Sequence, residues 1–188
     1  MKTKHQARRK GAAKVRSAQA GVAGVAGKTV RCMNSYEFRV MALREYPLPE
    51  EMHVCMSPEA IADYWQACVV KSPQYNPARE CMTVVLLNTR RRVIGHEFVS
   101  SGTRDTVVCD ATGIFRTAVI ADAAAVVMLH NHPSGDPDPS ETDIKITRIM
   151  IQGGKLLSIE ICDHLVMGRP TKKFPKGYAS LRELGYFY

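Results

Sequence analysis

Two histidines separated by one residue are the side chains in this sequence best placed to do chemistry. His130 and His132 follow a short apolar run that ends at Leu129, which predicts that a strand delivers them. In an extended chain, residues i and i+2 point to the same side, about 7 Å apart, so both imidazoles can converge on one ion. Core packing explains the pair poorly, because each buried ring would need its own hydrogen-bond partners. The spacing therefore predicts a metal site.

An acid eleven residues after His132 is the candidate third ligand. Asp143 ends the run Ser140-Glu141-Thr142-Asp143, which also fits a helix capping box with Ser140 at the N-cap and Asp143 at N3. The two interpretations are compatible, since the helix dipole keeps a carboxylate in the first turn ionised. Two imidazoles and one carboxylate leave one position of a tetrahedral zinc ion open, which is typical of catalytic sites.

A general base is then needed to take a proton from the attacking water. Glu97 is the acid that stands out, because it lies in an otherwise apolar strand beside Phe98 and Val99, where a carboxylate is costly without a partner. It lies 33 residues before His130. The alternative interpretation is a solubility charge on an edge strand.

Taken together, these residues resemble a known family. His-x-His-Pro followed by Ser-x-x-Asp, with an upstream strand Glu, resembles the JAMM (MPN-plus) metalloprotease motif. More narrowly, His-Asn-His-Pro-Ser-Gly-Asp-x-x-Pro-Ser-x-x-Asp followed by Asp163-His164 is similar to the RadC-type JAB domain. The resemblance runs from about Cys81 to Gly168, and chance matching of the long motif is negligible.

The resemblance implies roles for individual residues. His130, His132 and Asp143 would bind zinc, and Glu97, which precedes Ser101-Gly102-Thr103, would match the catalytic glutamate. Ser140 would match the serine that stabilises a tetrahedral oxyanion. Two interpretations stay open for Asp163 and His164: they could orient a ligand from outside the metal's coordination sphere, or form a satisfied turn at a strand junction.

Periodicity predicts the elements that must position these side chains. A helix begins at Ser57-Pro58-Glu59, and a hairpin joins a buried strand to a second one. Two more helices and further strands follow, and Gly153-Gly154 is predicted to end the second of these helices. The predicted segments are strand 36–43, strand 82–88, strand 93–100, helix 111–125, strand 126–129, helix 140–152, strand 156–162 and strand 165–167. This order predicts an α/β (α+β) sandwich around a mixed sheet. The resemblance adds an MPN/JAB-like sheet flanked by helices, in a cytidine-deaminase-like three-layer arrangement.

The positive charge is concentrated at the start of the chain. The net charge is +8 over 188 residues, yet residues 1–31 hold nine Lys and Arg and no acid, so the remainder is close to neutral. Residues 1–27 are predicted to be a disordered basic arm, and residues 28–188 the RadC-like JAB domain with its core motif region at 81–168. Whether the arm contacts nucleic acid or is only solvated stays open. Six cysteines without a C-x-x-C pair predict free thiols in a reducing, cytoplasmic setting.

Three functions compete at this point. A Zn²⁺-dependent metallopeptidase or isopeptidase, acting on an unknown protein or peptide substrate, is favoured by the complete ligand set. A DNA-repair or nucleic-acid-processing accessory is suggested by the basic arm. A non-catalytic MPN scaffold ranks last, because such scaffolds typically lack the metal ligands that are present here.

Overall fold

A mixed sheet forms the centre of the protein. The computed structural model describes residues 54–101 and 111–188. In these ranges five strands form one sheet in the order β2-β1-β3-β4-β5. The strands are β1 Cys81–Leu87, β2 Val93–Ser101, β3 Ala125–Asn131, β4 Glu160–Met167 and β5 Tyr178–Ser180. Neighbouring strands are antiparallel except for β3 and β4, which are parallel.

Helices cover both faces of this sheet. Helix α1 spans Pro58–Tyr64 and continues as a π-helical turn over Trp65–Val69. Helix α2 spans Ala111–Ile120, and helix α3, Glu141–Leu157, connects β3 to β4. The predicted start of α1 is confirmed, since the Ser57 hydroxyl accepts a hydrogen bond from the N–H of Ala60 at 3.3 Å.

The two faces of the sheet bury separate apolar clusters, which gives three layers. Every residue of β1 is buried, as expected for a strand covered on both sides. One face packs against α1, with Trp65 and Leu129 in the same cluster. The other face packs against α2 and α3, with Met128 and Ile114 in the same cluster. The predicted mixed α/β fold is confirmed.

The prediction that Gly153-Gly154 ends a helix is wrong. Helix α3 runs through both glycines to Leu157 and ends at Ser158, which takes the left-handed conformation. A Cβ on Gly154 would lie 2.4 Å from the carbonyl oxygen of Ile159, and one on Gly153 would lie 2.9 Å from Cε2 of Phe115. These glycines therefore permit close packing, which a local pattern cannot distinguish from a cap.

Three other boundaries differ from the sequence prediction. Asp163-His164 lies inside the single strand β4 and not at a junction of two strands. Helix α2 ends at Ile120, before the predicted Ala125, because Ala125 already pairs with Leu87 in the sheet. The segment 156–157 belongs to α3. The basic arm and the strand predicted at 36–43 lie outside the described residues.

The longest described helix is α3, and no helix in the described ranges is both long enough and apolar enough to cross a membrane.

Candidate metal centre

The two histidines lie at the carboxyl end of strand β3, under helices α2 and α3. His130 lies two residues after Met128 on β3, so it points to the same α2/α3 face, where it is fully buried. His132 follows the end of the strand, and its N–H donates to the carbonyl oxygen of Met167 at 3.0 Å. The ring nitrogens of the pair converge, with Nε2 of His130 3.1 Å from Nε2 of His132.

Asp143 reaches the same point from the first turn of α3. The predicted capping box is confirmed: the Asp143 N–H donates to the Ser140 hydroxyl, and the Ser140 N–H donates to Oδ2 of Asp143 at 2.8 Å. The Ser140 hydroxyl also donates to Oδ2, at 2.6 Å. Oδ1 lies 3.3 Å from Nε2 of His130, and Oδ2 lies 3.5 Å from Nε2 of His132. The same carboxylate thus starts the helix through Oδ2 and has both of its oxygens near the histidines.

A fourth candidate ligand atom comes from Glu80, which belongs to none of the sequence motifs described above. Strand β1 runs antiparallel to β3 with Met82 opposite His130, so the start of β1 lies beside the end of β3. Glu80, directly before β1, is buried, and its Oε1 lies 3.5 Å from Nε2 of His130. The available signal was an acid directly before a continuously apolar strand, where burial makes a charge costly.

The side chain of Asn131 holds Glu80 in place. Its Oδ1 accepts from the N–H of Cys81 at 3.0 Å, and its Nδ2 donates to the carbonyl oxygen of Arg79 at 2.9 Å. These two groups belong to the peptide units on either side of Glu80. The residue between the two histidines therefore fixes the backbone that carries the second carboxylate.

The spacing of the four ligand atoms fits a metal ion. One atom from each of Glu80, His130, His132 and Asp143 lies within 4.8 Å of all the others. The closest separations run from 3.1 to 3.5 Å. Ligands about 2.1 Å from a tetrahedral ion are about 3.4 Å apart, so these side chains fit a zinc-sized ion with little movement.

The carbonyl oxygen of Asp136 determines which ring nitrogen of His132 carries a proton. Its Nδ1 lies 2.7 Å from the carbonyl oxygen of Asp136, which can only accept, so Nδ1 carries the proton and Nε2 of the neutral ring is bare. Burial lowers the pKa of His132, but contacts with Asp143 and the Asp136 carbonyl outweigh it and leave that pKa raised. A proton therefore competes with a metal ion for Nε2 of His132 more strongly than it would at an isolated imidazole.

Charge balance keeps Asp143 ionised. Burial raises its pKa, but the hydrogen bond with His132, the nearby ring of His130 and the bonds from Ser140 outweigh it, so the pKa is far below its ordinary value. Burial lowers the pKa of His130, and the neighbouring His164 lowers it further, so His130 is neutral. A carboxylate and a neutral imidazole are the protonation states that bind zinc.

Glu97 is not brought into this group. It lies on the edge strand β2 opposite Val84, and β1 separates it from β3. Two strand spacings and two residues along the strand place its Cα about 12 Å from that of His130. Among the described residues, its buried Oε2 has no hydrogen-bond partner. Its role as the base stays a prediction, and the geometry favours Glu80.

Asp163 and His164 separate into different roles. Asp163 accepts from the N–H of His164 at 2.7 Å, from the Ser180 hydroxyl at 2.6 Å and from the N–H of Arg182 at 3.2 Å. It thereby ties β4 to β5 and the segment after it. His164 contacts the metal centre, since its Nε2 lies 2.9 Å from Nδ1 of His130.

Comparison with known proteins agrees with this arrangement. A family model described as the RadC-like JAB domain matches residues 55–186. The chain is 45% identical over 102 residues to a UPF0758 protein of Symbiobacterium thermophilum, covering 54% of this chain and 41% of that protein. It is 40% identical over 107 residues to a UPF0758 protein of Thermotoga maritima, covering 57% and 46%. The chain thus spans less than half the length of these relatives. The match over most of its described residues shows that this chain belongs to the RadC-like JAB domain family.

Proposed function

We propose that this chain is a zinc-dependent hydrolase of the JAMM type that cleaves an amide or isopeptide bond. The observation that carries the proposal is the convergence of four ligand atoms from Glu80, His130, His132 and Asp143 within 4.8 Å. Membership of the JAB family supports a metal-dependent hydrolase. A zinc ion held there would polarise the scissile carbonyl and lower the pKa of the attacking water to about 7.

The side chains around the ion would bind it, transfer the proton and stabilise the oxyanion. His130, His132 and Asp143 would hold the ion. Glu80 Oε1 accepts the proton of the attacking water and passes it to the departing nitrogen. In the structure the Ser140 hydroxyl donates to Asp143, so donation to a developing oxyanion requires its proton to turn toward the substrate.

The competing interpretation is a closed structural site. If Glu80 bound the ion directly, four protein ligands would fill a tetrahedral zinc and leave no position for water. The two interpretations differ in the effect of replacing Glu80. A fourth ligand is needed to retain zinc, whereas a base is needed only for turnover.

The test compares zinc content and hydrolysis in matched variants. The purified protein is expected to hold about one zinc per chain, measured by elemental analysis, and Asp143→Ala is expected to lose it. Hydrolysis is measured on two quenched-fluorescence libraries, one of mixed peptides and one joined through a lysine isopeptide bond. Glu80→Gln is expected to keep zinc and lose turnover by at least about 100-fold.

Glu97→Gln is the matched control, because it makes the same chemical change at the other candidate base. It is expected to keep both zinc and turnover. Loss of turnover in Glu97→Gln, with Glu80→Gln active, would return the base to Glu97. A wild-type protein without zinc would overturn the proposal, and loss of zinc from Glu80→Gln would favour the closed site.

A further inference from the structure

A hydrogen-bonded chain of side chains leads away from the metal centre into helix α3. Nδ1 of His130 lies 2.9 Å from Nε2 of His164, and Nδ1 of His164 lies 2.6 Å from Oγ1 of Thr147. Oγ1 of Thr147 in turn lies 2.6 Å from the carbonyl oxygen of Asp143. The rings of His130 and His164 and the side chain of Thr147 are all fully buried.

The direction of each hydrogen bond in this series follows from its last acceptor, the carbonyl oxygen of Asp143. A carbonyl oxygen can only accept, so the hydroxyl of Thr147 uses its single proton to donate a hydrogen bond to the carbonyl oxygen of Asp143. That hydroxyl must then accept from His164, which places the proton of His164 on Nδ1. A charged imidazolium is costly at the fully buried position of His164, so its ring is neutral and Nε2 is bare.

The bare Nε2 of His164 requires a donor, and among the residues that the structure describes Nδ1 of His130 is the group that faces it, at 2.9 Å. The neutral ring of His130 then carries its proton on Nδ1 and presents a lone pair at Nε2, toward His132 and Asp143. We infer that Thr147 and His164 are positioning residues that hold His130 in the tautomer able to bind a metal ion. The metal-binding part of this inference rests on the proposed function.

In this arrangement helix α3 determines the position of one candidate ligand, Asp143, and the orientation of another, His130. Its first turn supplies Asp143 directly, and one turn later Thr147 orients His130 through His164. Strand β4 is required as well, because His164 lies on it opposite Met128, on the face that carries His130. A change in the packing of α3 against β4 would therefore change the orientation of both ligands, Asp143 and His130, together.

The test replaces Thr147 with residues that keep or remove the hydroxyl. Thr147→Val keeps the branched shape and removes the hydroxyl, so His164 loses the partner that fixes its tautomer. Zinc affinity, measured by competition with a chromophoric chelator, is expected to fall about 10- to 100-fold. Thr147→Ser restores the hydroxyl and is expected to bind zinc close to the wild-type level.

Thr83→Val is the matched control for replacing a buried threonine. Thr83 is fully buried on β1, and its Oγ1 has no partner among the described residues. It points to the α1 face, since its partner in the register is Leu129. Zinc affinity is expected to be unchanged in this variant.

A second measurement reads the tautomer without any metal. Nitrogen-15 NMR of the imidazole rings in the metal-free protein is expected to show His130 protonated on Nδ1, and a mixture of tautomers in Thr147→Val. A wild-type His130 protonated on Nε2, or a Thr147→Val protein with the wild-type tautomer and zinc affinity, would overturn the inference. If the wild type bound no zinc, the proposed function would fail, and the NMR result would still decide the tautomer.

Discussion

Replacing Asn131 is expected to lower the stability of the fold and, as a separate effect, to displace Glu80. The Asn131 amide bonds to the peptide units on both sides of Glu80, at 3.0 Å to the N–H of Cys81 and 2.9 Å to the carbonyl of Arg79. In Asn131→Ala both bonds are lost. Cys81 is fully buried, so water cannot reach its N–H, whereas Arg79 is exposed and its carbonyl can be hydrated.

The expected cost follows from this difference in burial. An orphaned buried donor costs about 1–3 kcal/mol, and a lost hydrogen bond at an accessible carbonyl costs about 1 kcal/mol or less. Asn131→Ala should therefore lower the free energy of unfolding by about 2–3 kcal/mol. If Glu80 is the base of the proposed hydrolase, turnover should fall a further 10- to 100-fold in the folded protein, because a base displaced by about 1 Å loses its alignment.

Asn88→Ala is the control at the opposite end of β1. The Asn88 side chain also makes two bonds to the backbone, accepting from the N–H of Arg90 at 2.9 Å and of Arg92 at 3.0 Å. Its loss is expected to cost about 1–2 kcal/mol of stability while leaving turnover unchanged.

Urea denaturation and steady-state hydrolysis of the peptide libraries measure the two effects. An Asn131→Ala protein that unfolds at the wild-type urea midpoint would contradict the expected loss of stability. Turnover of Asn131→Ala, measured well below that midpoint, that falls no further than that of Asn88→Ala would contradict a role of Asn131 in positioning Glu80.

Three further outcomes are expected. Gly168→Ala would place a Cβ 2.6 Å from the carbonyl oxygen of Gly135, so the loop carrying His132 must shift; chelator competition should show weaker zinc binding by a protein that still folds. Protons compete with the ion at His132, whose pKa is raised, so zinc affinity should fall about tenfold for each pH unit below that pKa, as isothermal titration at several pH values would show. Deleting residues 1–27, which are basic and free of acids, should weaken binding to a labelled DNA duplex and flatten its salt dependence without changing zinc content; equal DNA binding by the shortened chain would contradict a role for the arm.

Local patterns in the sequence were sufficient for the parts of the site that lie close together along the chain. The i, i+2 spacing of His130 and His132 required only an extended backbone for both to face one ion. The capping box at Ser140 and Asp143 required only a helix start, and the structure forms it as predicted. The continuously apolar β1 likewise indicated a strand covered on both faces.

Residues that serve long-range packing were misinterpreted for a physical reason. Gly153-Gly154 has the composition of a helix end, yet the glycines give room to Ile159 and Phe115, which approach α3 closely. His164 could be read as part of a turn, yet it lies in β4 beneath α3 and bonds to His130. Such neighbours are set by how elements pack, which no local window contains.

The choice between the two candidate carboxylates depended on strand pairing. The local pattern favours Glu97, which lies within an apolar strand, and does not indicate Glu80, which directly precedes one. The sequence by itself determined two histidines, a capping aspartate and the kind of chemistry that they support. The tertiary structure decided which glutamate joins them, because antiparallel pairing of β1 with β3 brings the start of one strand beside the end of the other, while β2 remains one strand further away.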